Sequence, residues 1–114
     1  MDINALTKQI LEFRNQRNWE QFHKPKDMAL SLVLESTEVL EHFQWKSEPE
    51  ADTHVAQESE ALGEELADVL YWTLLMAHDF GIDLTQAFAR KMAINKEKYP
   101  VEKFKGSTRK YDDA

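Results

Sequence analysis

The chain has 114 residues, 42% of them apolar, no cysteine and a formal net charge of −7. That length suits one domain with a buried core, and the apolar share excludes global disorder. The acidic excess disfavours binding to a nucleic acid polymer, and the absence of cysteine excludes disulfide and thiol chemistry.

Met1-Asp2-Ile3-Asn4 carries no signal-peptide pattern. No apolar run reaches the ~18 residues of a spanning helix. A cytoplasmic protein with no membrane partner is therefore expected. Three glycines and three prolines favour few, long helices.

In chain order, Ile3, Leu6, Ile10, Phe13 and Arg17 recur at spacings of three and four and predict a helix from Asp2 to about Asn18. Trp19-Glu20-Gln21-Phe22-His23-Lys24-Pro25 reads as an ordered turn, because the proline biases the residue before it away from helix. Its aromatics either plug the bundle end or form part of a site. A second helix is predicted from about Lys26 to Gln44, with Asp27 able to cap it. One face carries Met28, Ser31, Leu32, Glu35, Glu38, Val39, His42 and Phe43; the opposite face carries Leu30, Val33 and Leu40. A helix apolar on two sides is buried on two sides, so in a chain this short another subunit is expected against one of them.

Trp45 to Thr53 is polar, contains Pro49 and reads as a surface loop. Trp45 in it either caps the core or offers a stacking surface. A third helix is predicted from Val55 to Asp79. Glu58, Ala61, Leu62, Glu65, Asp68, Val69, Trp72 and Met76 share one face, with Glu60 and Glu64 turned to solvent. Gly81 ends it. Asp83-Leu84-Thr85-Gln86 resembles a capping box opening a fourth helix that Pro100 stops after Tyr99. Its inward face reads Leu84, Ala87, Phe88, Lys91, Asn95 and Lys98. The two lysines either snorkel to water or meet phosphates. Residues 1–105 are read as the helical domain and 106–114 as a polar tail.

Glu35 and Glu38 are three apart, as are Glu65 and Asp68, so each pair sits on one helix face. A carboxylate among apolar residues is costly without a cation or a donor. Two facing pairs gather four oxygen ligands, which suits a hard divalent cation. Di-iron bundles need Glu-x-x-His twice; here that spacing occurs only at Glu20–His23, in the turn. The histidines form no zinc spacing.

E-x-x-E on one helix and E-x-x-D on the next resembles the all-α nucleoside triphosphate pyrophosphohydrolases of the MazG-like type. Four further segments resemble their dCTP pyrophosphatase branch: Trp19-Glu20-Gln21-Phe22-His23; Phe43-Gln44-Trp45-Lys46; Lys91-Met92-Ala93-Ile94-Asn95 with Tyr99-Pro100; and Ser107-Thr108-Arg109-Lys110-Tyr111. The resemblance spans nearly the whole chain. It implies an all-α bundle of four main helices completed by homo-oligomerisation, often as a tetramer. It implies hydrolysis of a nucleoside triphosphate, dCTP or a related pyrimidine deoxynucleotide, to the monophosphate and pyrophosphate. Glu35, Glu38, Glu65 and Asp68 would hold Mg²⁺, with Mn²⁺ as an alternative, and carry the catalysis. Trp19, His23 and Trp45 would shape the base pocket, and Lys46 would also bind substrate. Lys91, Asn95, Lys98, Tyr99, Arg109 and Lys110 would meet the rest of the substrate. The rival from another class is a non-catalytic helical oligomer that binds a cation or a protein partner; a third reading is the same reaction on a damaged nucleotide.

Overall fold

A computed structural model describes residues 1–109, all of whose regular elements are helices. These are α1 (Ile3–Gln16), α2 (Pro25–Glu41), α3 (Glu48–Gln57), α4 (Ser59–Asp79), α5 (Leu84–Lys98) and α6 (Val101–Phe104), with a single 3₁₀ turn at Glu20–Phe22. The all-α expectation is met. Lys110 and the remainder of the tail lie outside the described residues. No helix among the described residues is long and apolar enough to cross a membrane.

The chain divides into two compact units, Met1–Gly81 and Ile82–Ala114. In the first, α4 is the hub: α1, α2 and α3 all pack on it. Met28, Leu62, Leu74, Leu75 and Ala77 are buried there. Four of these five belong to α4, as the long apolar pattern of that segment requires.

The helix boundaries follow from local chemistry. Asp2 caps α1 by accepting from the Ala5 amide at 2.9 Å. Pro25 opens α2 at its first position, where a missing N–H costs nothing and the fixed φ suits the helix. Asp27 is therefore not the cap; it lies in the first turn, where its charge complements the helix dipole.

The segment after Trp45 differs from the expected loop. Ser47 and Glu50 close a full capping box. The Ser47 Oγ accepts from the Glu50 amide at 3.3 Å, and Glu50 accepts from the Ser47 amide at 3.0 Å. Pro49 falls inside the first turn, where proline is tolerated. A helix α3 results, and the expected third helix is broken at Glu58 (φ −116°, ψ 30°) into α3 and α4.

In the second unit, Asp83 caps α5 through the Gln86 amide at 3.1 Å, as expected. Leu84, Ala87, Asn95 and Lys98 are half-buried, whereas Phe88 and Lys91 are exposed. The Tyr99 ring packs edge-on against buried Phe104 at 4.9 Å. Arg109 lies over the same Phe104 ring and donates to the Lys103 carbonyl at 2.6 Å.

Candidate active site

Packing of α2 on α4 brings the two acidic pairs together. Glu35, Glu38, Glu65 and Asp68 each offer a carboxylate oxygen, and these oxygens all lie within 4.8 Å of one another. Glu35 and Glu65 are half-buried, Glu38 and Asp68 exposed. Burial, then proximity to Glu38, Asp68 and Glu65, pushes the Glu35 carboxyl above its usual range. Glu65 is also raised, foremost by Glu38 against it and then by burial. Glu65 Oε2 is buried with no hydrogen-bond partner among the described residues, an arrangement that native proteins avoid unless another group binds there. A hard, all-oxygen donor set with one orphaned oxygen fits a divalent cation such as Mg²⁺ or Mn²⁺.

Beside the acids lies a cavity of about 730 Å³ lined by α1, the 3₁₀ turn, α2 and α4. Aromatic rings make most of its wall. Trp19 meets Phe13 edge-on at 5.6 Å, Phe13 meets Tyr71 at 6.2 Å, Tyr71 meets Trp72 at 5.1 Å, and His23 meets Trp72 at 5.3 Å. Asn18 takes the left-handed conformation (φ 54°) that ends α1 and turns the chain to Trp19. Glu35 and Asp68 line the same cavity, so it opens directly onto the acidic quartet.

His23 is positioned by charge from behind. Arg14, 2% exposed, donates two hydrogen bonds to Asp79, at 2.7 and 3.0 Å, and its Nη1 approaches His23 Nδ1 at 3.5 Å. A guanidinium is donor-only, so Nδ1 is the acceptor and His23 carries its proton on Nε2. Burial, then Arg14, lowers the His23 pKa, which favours the neutral ring.

The predicted site residues thus separate. The acids, Trp19 and His23 share one region of the first unit. Trp45 and Lys46 do not line this cavity: Trp45 is 93% exposed at φ 67°, and Lys46 borders a shallow hollow with Pro49, Glu50, Thr53, His54 and Gln57. Lys91, Asn95, Lys98, Tyr99 and Arg109 belong to the second unit, and Lys110 is outside the described residues. Sequence reasoning did not assign Phe13, Phe22 or Tyr71 to the site. Phe13 looked like ordinary core spacing, and no motif marks a ring that meets another helix. It also gave no role to His42 and His54, whose Nδ1 and Nε2 are 2.7 Å apart, with His42 Nε2 3.9 Å from Glu65 Oε1.

The MazG-like family profile matches residues 30–114, which include both acidic pairs. Over 104 residues, 90% of this chain, the protein is 45% identical to dCTP pyrophosphatase 1 of Mus musculus and spans 61% of that protein's length. Over the same share it is 42% identical to dCTP pyrophosphatase 1 of Homo sapiens, again spanning 61% of its length. The crystal structure of a pyrophosphatase from Archaeoglobus fulgidus superposes with a TM-score of 0.81 at 37% identity, covering 85% of this chain and 91% of that one. A profile match across both acidic helices, with a shared fold over most of two chains, makes this protein a member of the MazG-like family.

Proposed function

We propose that the protein hydrolyses a nucleoside triphosphate, dCTP or a related pyrimidine deoxynucleotide, to the monophosphate and pyrophosphate, using Mg²⁺ or Mn²⁺ at the acidic quartet. The supporting observation is that the aromatic cavity and the quartet share Glu35 and Asp68. A base fits the apolar rings, which stack on any π-face. The triphosphate belongs with the cation. The α-phosphate joins those two parts of the substrate, so it falls at Glu35 and Asp68, the residues common to both.

A bound divalent cation supplies charge neutralisation and Lewis acidity at the phosphoryl group. The chain's own residues do the rest. Trp19, Trp72 and Tyr71 hold the base and exclude water around it. His23, neutral and protonated on Nε2, offers a hydrogen-bond donor at the cavity wall. A quartet carboxylate takes the proton of the water that attacks the α-phosphorus. The α–β bridging bond then breaks and pyrophosphate leaves.

The same reading includes a homo-oligomer, expected as a tetramer. Its support is the outer face of α2, where Leu30, Val33, Leu34 and Leu40 are each more than half exposed. Such a contiguous apolar stripe marks an interaction surface. Pyrophosphate release from a panel of nucleoside triphosphates, with Mg²⁺ and with chelator, tests the activity. Cation-dependent release that is fastest with dCTP is expected. No release from any nucleotide would leave a non-catalytic helical protein.

A further inference from the structure

Glu65 is a carboxylate with two different sides. Its Oε2 is buried with no partner among the described residues, while its Oε1 faces His42 Nε2 at 3.9 Å. Behind His42 stands His54 of α3, with Nε2 2.7 Å from His42 Nδ1. The His54 ring is itself held, 5.0 Å from the His42 ring and edge-on to Phe43 at 5.9 Å. His42 is only 18% exposed. Three side chains, from α3, the C-cap of α2 and α4, therefore follow one another: His54, His42, Glu65.

The protons in this line follow from its end. A bare imidazole lone pair turned to a carboxylate oxygen is repulsive, so His42 Nε2 carries hydrogen whether the ring is neutral or cationic. In the neutral ring, Nδ1 is then an acceptor. The only way to fill a 2.7 Å contact there is for His54 Nε2–H to donate to it. At 3.9 Å His42 is poised beside Glu65 rather than bonded to it, and a small rotation of the carboxylate closes the gap to hydrogen-bond range.

We propose that His54 and His42 are positioning residues: His54 fixes the tautomer and ring plane of His42, and His42 holds Glu65 Oε1 so that Oε2 is presented to the cation. This rests on the quartet being a cation site. It gives α3 a part in the chemistry without any residue of α3 touching substrate. Outer partners of this kind orient metal ligands, and their loss typically weakens metal affinity about 10- to 100-fold.

Two measurements decide it. The ¹⁵N–¹H correlation spectrum of the imidazoles, taken on the cation-free wild type, reads the tautomer directly. His42 protonated on Nε2 with an acceptor-type Nδ1 is expected. His42 protonated on Nδ1 with Nε2 bare would overturn the proposal. Mn²⁺ affinity, followed by the electron paramagnetic resonance of the free ion, reads the consequence. His54→Leu should bind Mn²⁺ about 10-fold more weakly, and His54→Gln, which keeps a side-chain N–H, should recover most of the loss. Wild-type affinity in His54→Leu, or equal loss in both variants, would overturn it. A wild type that binds no Mn²⁺ would instead remove the cation site itself, whatever the tautomer.

Discussion

Arg14 of α1 and Asp79 of α4 are joined by two parallel hydrogen bonds, at 2.7 and 3.0 Å, with 2% and 18% of their side chains exposed. This pair fastens the helix that carries Phe13 to the hub helix and backs the His23 ring. Breaking a buried pair by removing one partner costs about 3–5 kcal/mol, since the other charge is left uncompensated. Asp79→Ala should therefore lower the unfolding free energy by about 3 kcal/mol or more. Chemical denaturation checks this; an unchanged midpoint would mean that the pair is solvated.

The same pair sets an acid limb of stability. Burial alone raises the Asp79 pKa, but hydrogen bonds from Arg14 and His78 outweigh it and hold the carboxyl below its usual 3.8. Its stabilisation is fully present above 3.8 and is lost as pH falls through the depressed native value. His23 acts with the same sign. Its lowered pKa gives stability that is present above 6.5 and is lost as pH falls through the native value. Asp79 and His23 should thus lower the melting temperature in two steps on acidification, against an opposite contribution from Glu35 and Glu65. Asp79→Asn should flatten the lower step, and His23→Gln the upper one.

Trp19→Ala should weaken nucleotide binding by about 1–3 kcal/mol, the usual worth of base stacking on an aromatic, and leave the fold intact because the ring is 41% exposed. Trp45 lies away from the cavity of its own chain, 93% exposed in a left-handed conformation that bulky residues rarely adopt. If it stacks on a base, it does so in an oligomer. Trp45→Ala should then lose affinity in the assembled protein, and Trp45→Gly should relieve backbone strain and raise stability. Unchanged Michaelis constants and turnover for both alanine variants would remove the tryptophans from the site.

The apolar stripe on α2 makes a separate prediction. Val33→Glu, at a position 61% exposed in the single chain, should dissociate an assembly without unfolding the protomer. Light scattering over a wide dilution range checks it. A wild type that is monomeric throughout would refute the oligomer.

The acids were legible because spacing of three fixes a helix face whatever the surroundings, and α2 and α4 met as those faces require. The helix α3 was also written in the sequence, as Ser47-x-x-Glu50 with Pro49 in the first turn. Proline and charge suggested a loop, although both are favourable at a helix start. His42 and His54 were illegible for a different reason: their meeting depends on the break at Glu58, which sets where α3 lies, and no local motif announces it. The aromatic cavity lay between these cases. Trp72 was placed on the acidic face by its spacing from Asp68, but Tyr71 and Phe13 join it only through packing of α1 on α4.

Thermal unfolding of the wild type, Glu38→Gln and Glu60→Gln, each in chelator and in Mg²⁺, tests the convergent acidic site most directly. The raised pKa values of Glu35 and Glu65 carry the opposite sign to that of Asp79. Their contribution is present below the usual 4.5 and is lost as pH rises through the native values, so at neutral pH the cation-free quartet destabilises the fold. Removing one charge at Glu38 relieves that repulsion. Glu38→Gln should therefore melt above wild type in chelator, lose most of the stabilisation that Mg²⁺ confers, and release pyrophosphate orders of magnitude more slowly. Glu60 is exposed and outside the quartet, so Glu60→Gln should match wild type in all three. Identical behaviour of Glu38→Gln and Glu60→Gln would contradict the convergent site and leave four solvated carboxylates.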